Sequence, residues 1–182
     1  MNKSSALISN SSPNLSILIA SREGNFTEVA ESLRNGANVN TRDNQRRTPL
    51  MLATIGGHTH IVGALLNSHA QPDLKDRNGR TALMHASASM DALMKSATQI
   101  AGLLLRDDVA ANPNIKNKKG RTALRYAIDS HNLDLIRLLI DKGADPDETD
   151  ADGFTLTRHF LSEKDVPPEV RADMRPGNAP SS

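Results

Sequence analysis

The sequence predicts an all-α fold, an α-solenoid in which helix pairs stack side by side and a short loop, a finger, projects between one pair and the next. Three observations predict it. The phrase Thr48-Pro49-Leu50 returns as Thr81-Ala82-Leu83, Thr122-Ala123-Leu124 and Thr155-Leu156, at intervals of 33, 41 and 33 residues. A second phrase keeps step with it, as Gly36-Ala37-Asn38-Val39-Asn40, His69-Ala70-Gln71-Pro72-Asp73, Ala110-Ala111-Asn112-Pro113-Asn114 and Gly143-Ala144-Asp145-Pro146-Asp147. Aromatic residues make up only 2% of the chain, so the core must be built from Leu, Ile, Val, Met and Ala, which suits thin stacked helices. A fixed period of this length marks an array of units that bury their apolar faces on one another.

In chain order, residues 1–12 are rich in Ser and Asn without an apolar period, which predicts a flexible tail. Ser12-Pro13 reads as an N-cap followed by proline at the first helical position, opening an inner helix over Asn14 to Ser21. Gly24-Asn25 breaks it. Val29, Ala30 and Leu33 share one face of an outer helix that stops at Asn35-Gly36. In the second unit Thr48 caps, Pro49 starts the helix, Gly56-Gly57-His58 turns the chain, and Ile61, Val62, Leu65 and Leu66 supply the apolar face. The units run over about 13–43, 44–76, 77–117, 118–150 and a partial C-terminal cap at 151–174, with 175–182 expected to be disordered.

The third unit is eight residues longer than its neighbours. Ile61 matches Ile100 and Ala70 matches Ala111, which puts six extra residues between the helices, around Ala88 to Lys95, and two at Asp107 to Val109. Both places are turns, where added length costs little. Ala88, Met90, Leu93, Met94 and Ala97 make the first insertion too apolar for a free loop, so extra helical turns are expected there.

The 33-residue period with T-P-L, then G-H before an apolar run, then G-A-D/N, resembles the ankyrin repeat over roughly Asn14 to Phe160. The tetratricopeptide repeat has a period of about 34 residues and different Trp, Tyr and Ala landmarks. Leu15 at the Thr position of the first unit departs from the pattern, as a terminal cap does. Met51, Met84 and Arg125 replace the usual ankyrin histidine after T-P-L, so that residue's hydrogen bonds are expected to be absent. Arg46 stands where the later fingers have Gly79, Gly120 and Gly153. A left-handed conformation costs a non-glycine residue about 1 kcal/mol, so this finger is expected to differ in shape.

Little in the sequence points to chemistry. There is no cysteine, which excludes disulfides, thiol nucleophiles and thiolate metal sites and fits a reducing, cytoplasmic setting. Among six histidines the closest pair is His58 and His60, but residues two apart on a helix do not face each other. By resemblance, His58 holds the place of a structural histidine. G-x-S-x-G, P-loop and H-E-x-x-H signatures are lacking, so neither an enzyme nor a cofactor or metal site is expected. The run Ile17-Leu18-Ile19-Ala20 is too short for a good signal-peptide core and falls where the first inner helix is needed. No segment approaches the roughly eighteen apolar residues of a membrane span.

Charge is concentrated on the fingers. Residues 41–47, 74–80 and 115–121 hold ten Lys and Arg against Asp43 and Asp76, a local +8 in a chain of net charge +1. The next finger, 148–154, carries Glu148, Asp150 and Asp152. Packed helices lie about 8–10 Å apart, close to the Debye length of about 8 Å at physiological salt, so adjacent fingers act together as a basic stripe. Resemblance to ankyrin proteins implies protein binding through finger tips and the concave inner-helix face. Mapped onto this chain, the exposed variable positions are Gln45, Arg47, Ile55, Arg77, Asn78, Arg80, Lys118, Lys119, Arg121 and Asp129. The expectation is a monomeric, non-enzymatic module that docks an acidic protein surface as adaptor or stoichiometric inhibitor. Nucleic-acid binding through the same stripe is the alternative, disfavoured by the scarcity of stacking aromatics and the modest pI of 8.1.

Overall fold

A computed structural model describes residues 12–89, 94–149 and 151. Eight helices are found among them: α1 (Pro13–Glu23), α2 (Phe26–Arg34), α3 (Pro49–Ile55), α4 (Thr59–Asn67), α5 (Ala82–Ser87), α6 (Met94–Leu104), α7 (Ala123–Asp129) and α8 (Leu133–Asp141). The odd-numbered helices pack in a row as an inner layer, α1 on α3 on α5 on α7, and the even-numbered helices form the outer layer behind them. This is the predicted all-α solenoid.

The repeated phrases explain how each unit is made. Thr48, Thr81 and Thr122 cap the inner helices, each hydroxyl accepting from the backbone N–H three residues on, at 3.3–3.4 Å. Asn25 and Asn132 do the same for α2 and α8. Ser12 stands at the N-cap of α1 as expected, but its side chain makes no cap hydrogen bond.

The second phrase is a ladder of side-chain acceptors. The backbone N–H of Gln71 donates to Asn40 Oδ1, that of Asn112 to Asp73, and that of Asp145 to Asn114 Oδ1, at 2.8–3.1 Å. Each loop thus satisfies the next loop's backbone, which is why Asn or Asp is required there and why the ladder can extend one repeat at a time.

The core is continuous through the stack. Ile17, Leu50, Leu83 and Leu124 hold one position in successive inner helices, and Val29, Val62, Ala101 and Ile136 hold one in successive outer helices. None of these eight is more than 1% exposed. Each is buried partly by the neighbouring repeat, so no unit completes its own core.

The long third unit differs from the second in two places among the described residues. Helix α6 begins four residues before the position matching the start of α4, adding about a turn, while 90–93 lie outside the described residues. In the second unit the N–H of Ala70 donates to the carbonyl of Leu65. In the third, Ala111 closes on Leu104, two residues further back in sequence. One of the added residues, Asp107, binds Lys142 Nζ of the next repeat at 2.8 Å, which holds its carboxyl below the usual range. The partial cap and both tails fall outside the described residues, apart from Ser12 and Ala151.

The first finger does not differ in shape, contrary to expectation. Asp43 N–H donates to the Arg47 carbonyl and Arg46 N–H to the Asp43 carbonyl, as Asp76 does with Arg80 and Gly79 with Asp76 in the second finger. Arg46 takes the left-handed conformation itself, at φ 61°. The bonds around it fix the turn, so the residue carries the strain. Gly79 is under a second constraint, because a Cβ there would lie 2.9 Å from the Lys118 backbone nitrogen. Replacing Arg46 with Gly should therefore stabilise the fold by about 0.5–1 kcal/mol, the relieved strain less the added chain entropy. Gly79→Ala should destabilise it by about 1–2 kcal/mol or more. Urea denaturation of the two variants checks this, and an unchanged midpoint for either would contradict it.

Candidate functional site

Fingers one to three form a single fixed surface because their backbones are joined. The N–H of Arg77 donates to the carbonyl of Gln45 at 2.9 Å, that of Lys118 to Asn78 at 3.1 Å, and that of Ala151 to Lys119 at 3.3 Å. Within each finger one acceptor side chain ties the loop. Asp43 Oδ1 takes the N–H groups of Gln45 and Arg47, Asp76 Oδ1 those of Asn78 and Arg80, and Asn117 Oδ1 those of Lys119 and Arg121, all at 2.8–3.0 Å. The acidic residues inside the basic stripe are therefore fasteners.

The other end of each fastener varies. Asp43 Oδ2 accepts from Arg47 at 2.8 Å. Burial alone would raise this carboxyl's pKa, but the hydrogen bonds and charge of Arg47 outweigh it and hold the group below the usual range. Asp76 Oδ2 lies 3.0 Å from His85 Nε2, with both side chains mostly buried. Asn117 Nδ2 donates to the Tyr126 hydroxyl at 2.9 Å. Leu52, His85 and Tyr126 each stand nine residues after the fastener, facing the fingers from successive inner helices. His85 and Tyr126 were missed as contributors to this face. Aligning the three repeats at that position was the signal that could have found them.

The ten predicted residues divide into two groups. Gln45, Arg77, Asn78, Lys118 and Lys119 are exposed along the joined tips, and Ile55 and Asp129 are exposed at the ends of α3 and α7. Arg47, Arg80 and Arg121 line up in equivalent positions but are half-buried, each held by a different partner. Arg47 pairs with Asp43, Arg80 lies over the Tyr126 ring at 4.8 Å from its centroid, and Arg121 is 3.6 Å from Asp129. Asp129 also takes Arg125, at 3.0 Å.

His58 sits away from this face. Its Nε2 lies 3.2 Å from the Arg22 carbonyl oxygen, and a Cβ at Gly24 would come within 2.6 Å of its ring, so it braces two neighbouring turns. It also borders a depression of about 800 Å³ in the outer layer, with Phe26, Gly102 and Leu103. Among the described residues no Lys, Arg, Asp or Glu lines that depression. Among the described residues no group of three or more His, Asp or Glu side chains is placed to hold a metal ion, and no helix is long and apolar enough to cross a membrane.

The buried His85 makes stability depend on pH. Burial is the largest influence and pushes its pKa down. Asp76 opposes this, and the charges of Arg80 and Arg47 add to the lowering. The contact with Asp76 is thus a hydrogen bond from a neutral ring at neutral pH. A depressed histidine pKa means that stability is fully present above the unfolded value of about 6.5 and is lost as pH falls below it. Between about pH 7.5 and 5.5 the native chain should lose more denaturant resistance than His85→Gln. Equal losses would contradict this assignment.

The comparisons agree with this architecture. A family model described as ankyrin repeats (3 copies) matches residues 17–93 and 87–150. The chain is 38% identical over 77 residues to "Arf-GAP with coiled-coil, ANK repeat and PH domain-containing protein 2" of Rattus norvegicus, covering 41% of this chain and 10% of that protein. It is 41% identical over 73 residues to "Ankyrin repeat and SAM domain-containing protein 6" of Mus musculus, covering 39% and 8%. With human "Transient receptor potential cation channel subfamily A member 1" it shares 44% over 57 residues, covering 31% and 5%. The chain therefore matches a tenth or less of the length of each of these relatives. The family match spans most of the chain, and its repeats are those of the helix pairs and joined fingers, a scaffold that generally binds other proteins: the chain belongs to the ankyrin repeat family.

Proposed function

We propose that this chain is a non-enzymatic module that docks a protein partner with an acidic surface through the tips of its first three fingers, as an adaptor or a stoichiometric inhibitor. The observation that carries this reading is how the ten finger cations are used. Five are engaged within the chain: Arg47, Arg80 and Arg121 as above, Lys75 on the Lys116 carbonyl at 3.1 Å, and Lys116 on Glu148. The other five, Arg42, Arg46, Arg77, Lys118 and Lys119, are exposed and have no side-chain partner among the described residues. Only two acids, the fasteners Asp43 and Asp76, stand against the ten cations in these three fingers.

A rigid row of unpaired cations favours an acidic partner for two reasons. Its backbone is already ordered, so little entropy is lost on binding. Its field also speeds encounter. The single tyrosine is buried beneath Arg80, so it offers no open ring on which a base could stack, which supports a protein partner over nucleic acid. A monomer in the cytoplasm is the setting that fits this reading, since an open stripe of like charge repels its own copy.

The test begins with affinity capture of partners and their identification by mass spectrometry. Association rates are then measured for the native chain and for Arg77→Glu/Lys118→Glu/Lys119→Glu at low and high salt. Reversal should slow association about tenfold or more at low salt, with the gap narrowing at high salt. Equal rates with a folded variant would sink the proposal.

A further inference from the structure

The concave face changes character along the solenoid. At the positions facing the fingers, the first two repeats present Ile19 and Leu52, whereas the next two present His85 and Tyr126. At the apolar end there is a cavity of about 250 Å³ between α1, the first finger and α3. Leu15, Leu18, Ile19 and Leu52 line it. Leu15 is 49% exposed, an unusual position for a leucine on an inner helix. The volume is below the roughly 300–1,000 Å³ of small-molecule sites, and it suits one side chain.

Arg22 and Arg42 rim this cavity, both exposed and neither with a side-chain partner among the described residues. Asp43 also borders it, but its charge is offset by Arg47, 2.7 Å away, and the lining holds two cations against this one acid. The net field at the mouth is therefore positive and continuous with the cations of the next two fingers.

Building on the acidic-partner reading, we infer that this cavity is an anchor pocket for one apolar side chain at the end of an acidic segment of the partner. The segment then runs across the tips of the second and third fingers, past Arg77, Lys118 and Lys119. Two inter-repeat steps of about 10 Å separate the first finger from the third, a span that an extended chain covers in about six residues. The charge lies along that path and the apolar cradle at its start, so the surface selects a Leu-like residue at the end of an acidic run.

Fluorescence anisotropy with labelled synthetic peptides tests this on the full chain. The first peptide carries one Leu at the end of a run of about six Glu. The second replaces that Leu with Ser, and the third keeps the Leu but replaces every Glu with Gln. The first should bind about tenfold tighter than the second, the scale of burying one leucine side chain. That advantage should vanish in Leu15→Gln, whereas Arg42→Gln should weaken both acidic peptides alike; both substitutions lie at exposed positions, with folding checked by circular dichroism. The third peptide should bind far more weakly.

If the first two peptides bind alike and Arg77→Glu/Lys118→Glu/Lys119→Glu weakens both, the anchor pocket falls and the acidic-partner reading stands. An advantage for Leu that survives Leu15→Gln also overturns the pocket. If neither acidic peptide binds better than the third, both the pocket and the reading beneath it fail.

Discussion

No helix pair in this chain can bury its own apolar face, and everything else in the structure depends on that constraint. Leu50 and Val62 are fully enclosed only because α1 and α2 lie on one side and α5 and α6 on the other. Enclosing such a side chain contributes about 1.5–3 kcal/mol. An exposed ion pair contributes about 0–1 kcal/mol, so stacking, and not the many surface charges, sets the geometry. Once the helices are stacked, the fingers are brought into register and their backbones can join.

That order of causes explains the surface. Joined fingers need an acceptor inside each loop, and Asp43, Asp76 and Asn117 supply it. Hydrogen bonding leaves each carboxylate its charge, but only two, Asp43 and Asp76, stand against ten Lys and Arg in these three fingers. The finger tips stay basic although the whole chain is close to neutral. The same rigidity imposes a left-handed conformation on Arg46, so a residue unsuited to the turn adopts it.

Much of this was legible in the sequence, because repeats report the same physical requirement several times. The Thr of T-P-L is a cap, and the Asn or Asp of the second phrase is a loop acceptor. Matching Ala70 to Ala111 pairs two residues whose N–H groups close on Leu65 and Leu104, themselves matched. What was not legible depends on contacts that differ between repeats. Arg47, Arg80 and Arg121 look identical in an alignment, yet their partners are an aspartate in the same loop, an aromatic ring in the next repeat and an aspartate eight residues on. The left-handed cost at Arg46 is overruled by the bonds within its own loop and by the bond that Gln45 accepts from Arg77 of the next finger. The fate of His85 was hidden for the same reason, since its acceptor lies in the preceding finger.

Recognition by a fixed row of joined fingers has a direct signature in hydrogen–deuterium exchange of the complex with a captured partner. The account predicts that protection gained on binding falls on residues 41–47, 74–80 and 115–121 and on the inner helices beneath them, with the outer layer around Phe26 and Leu103 unchanged. Protection confined to that outer layer, with the fingers exchanging as in the free chain, would contradict it.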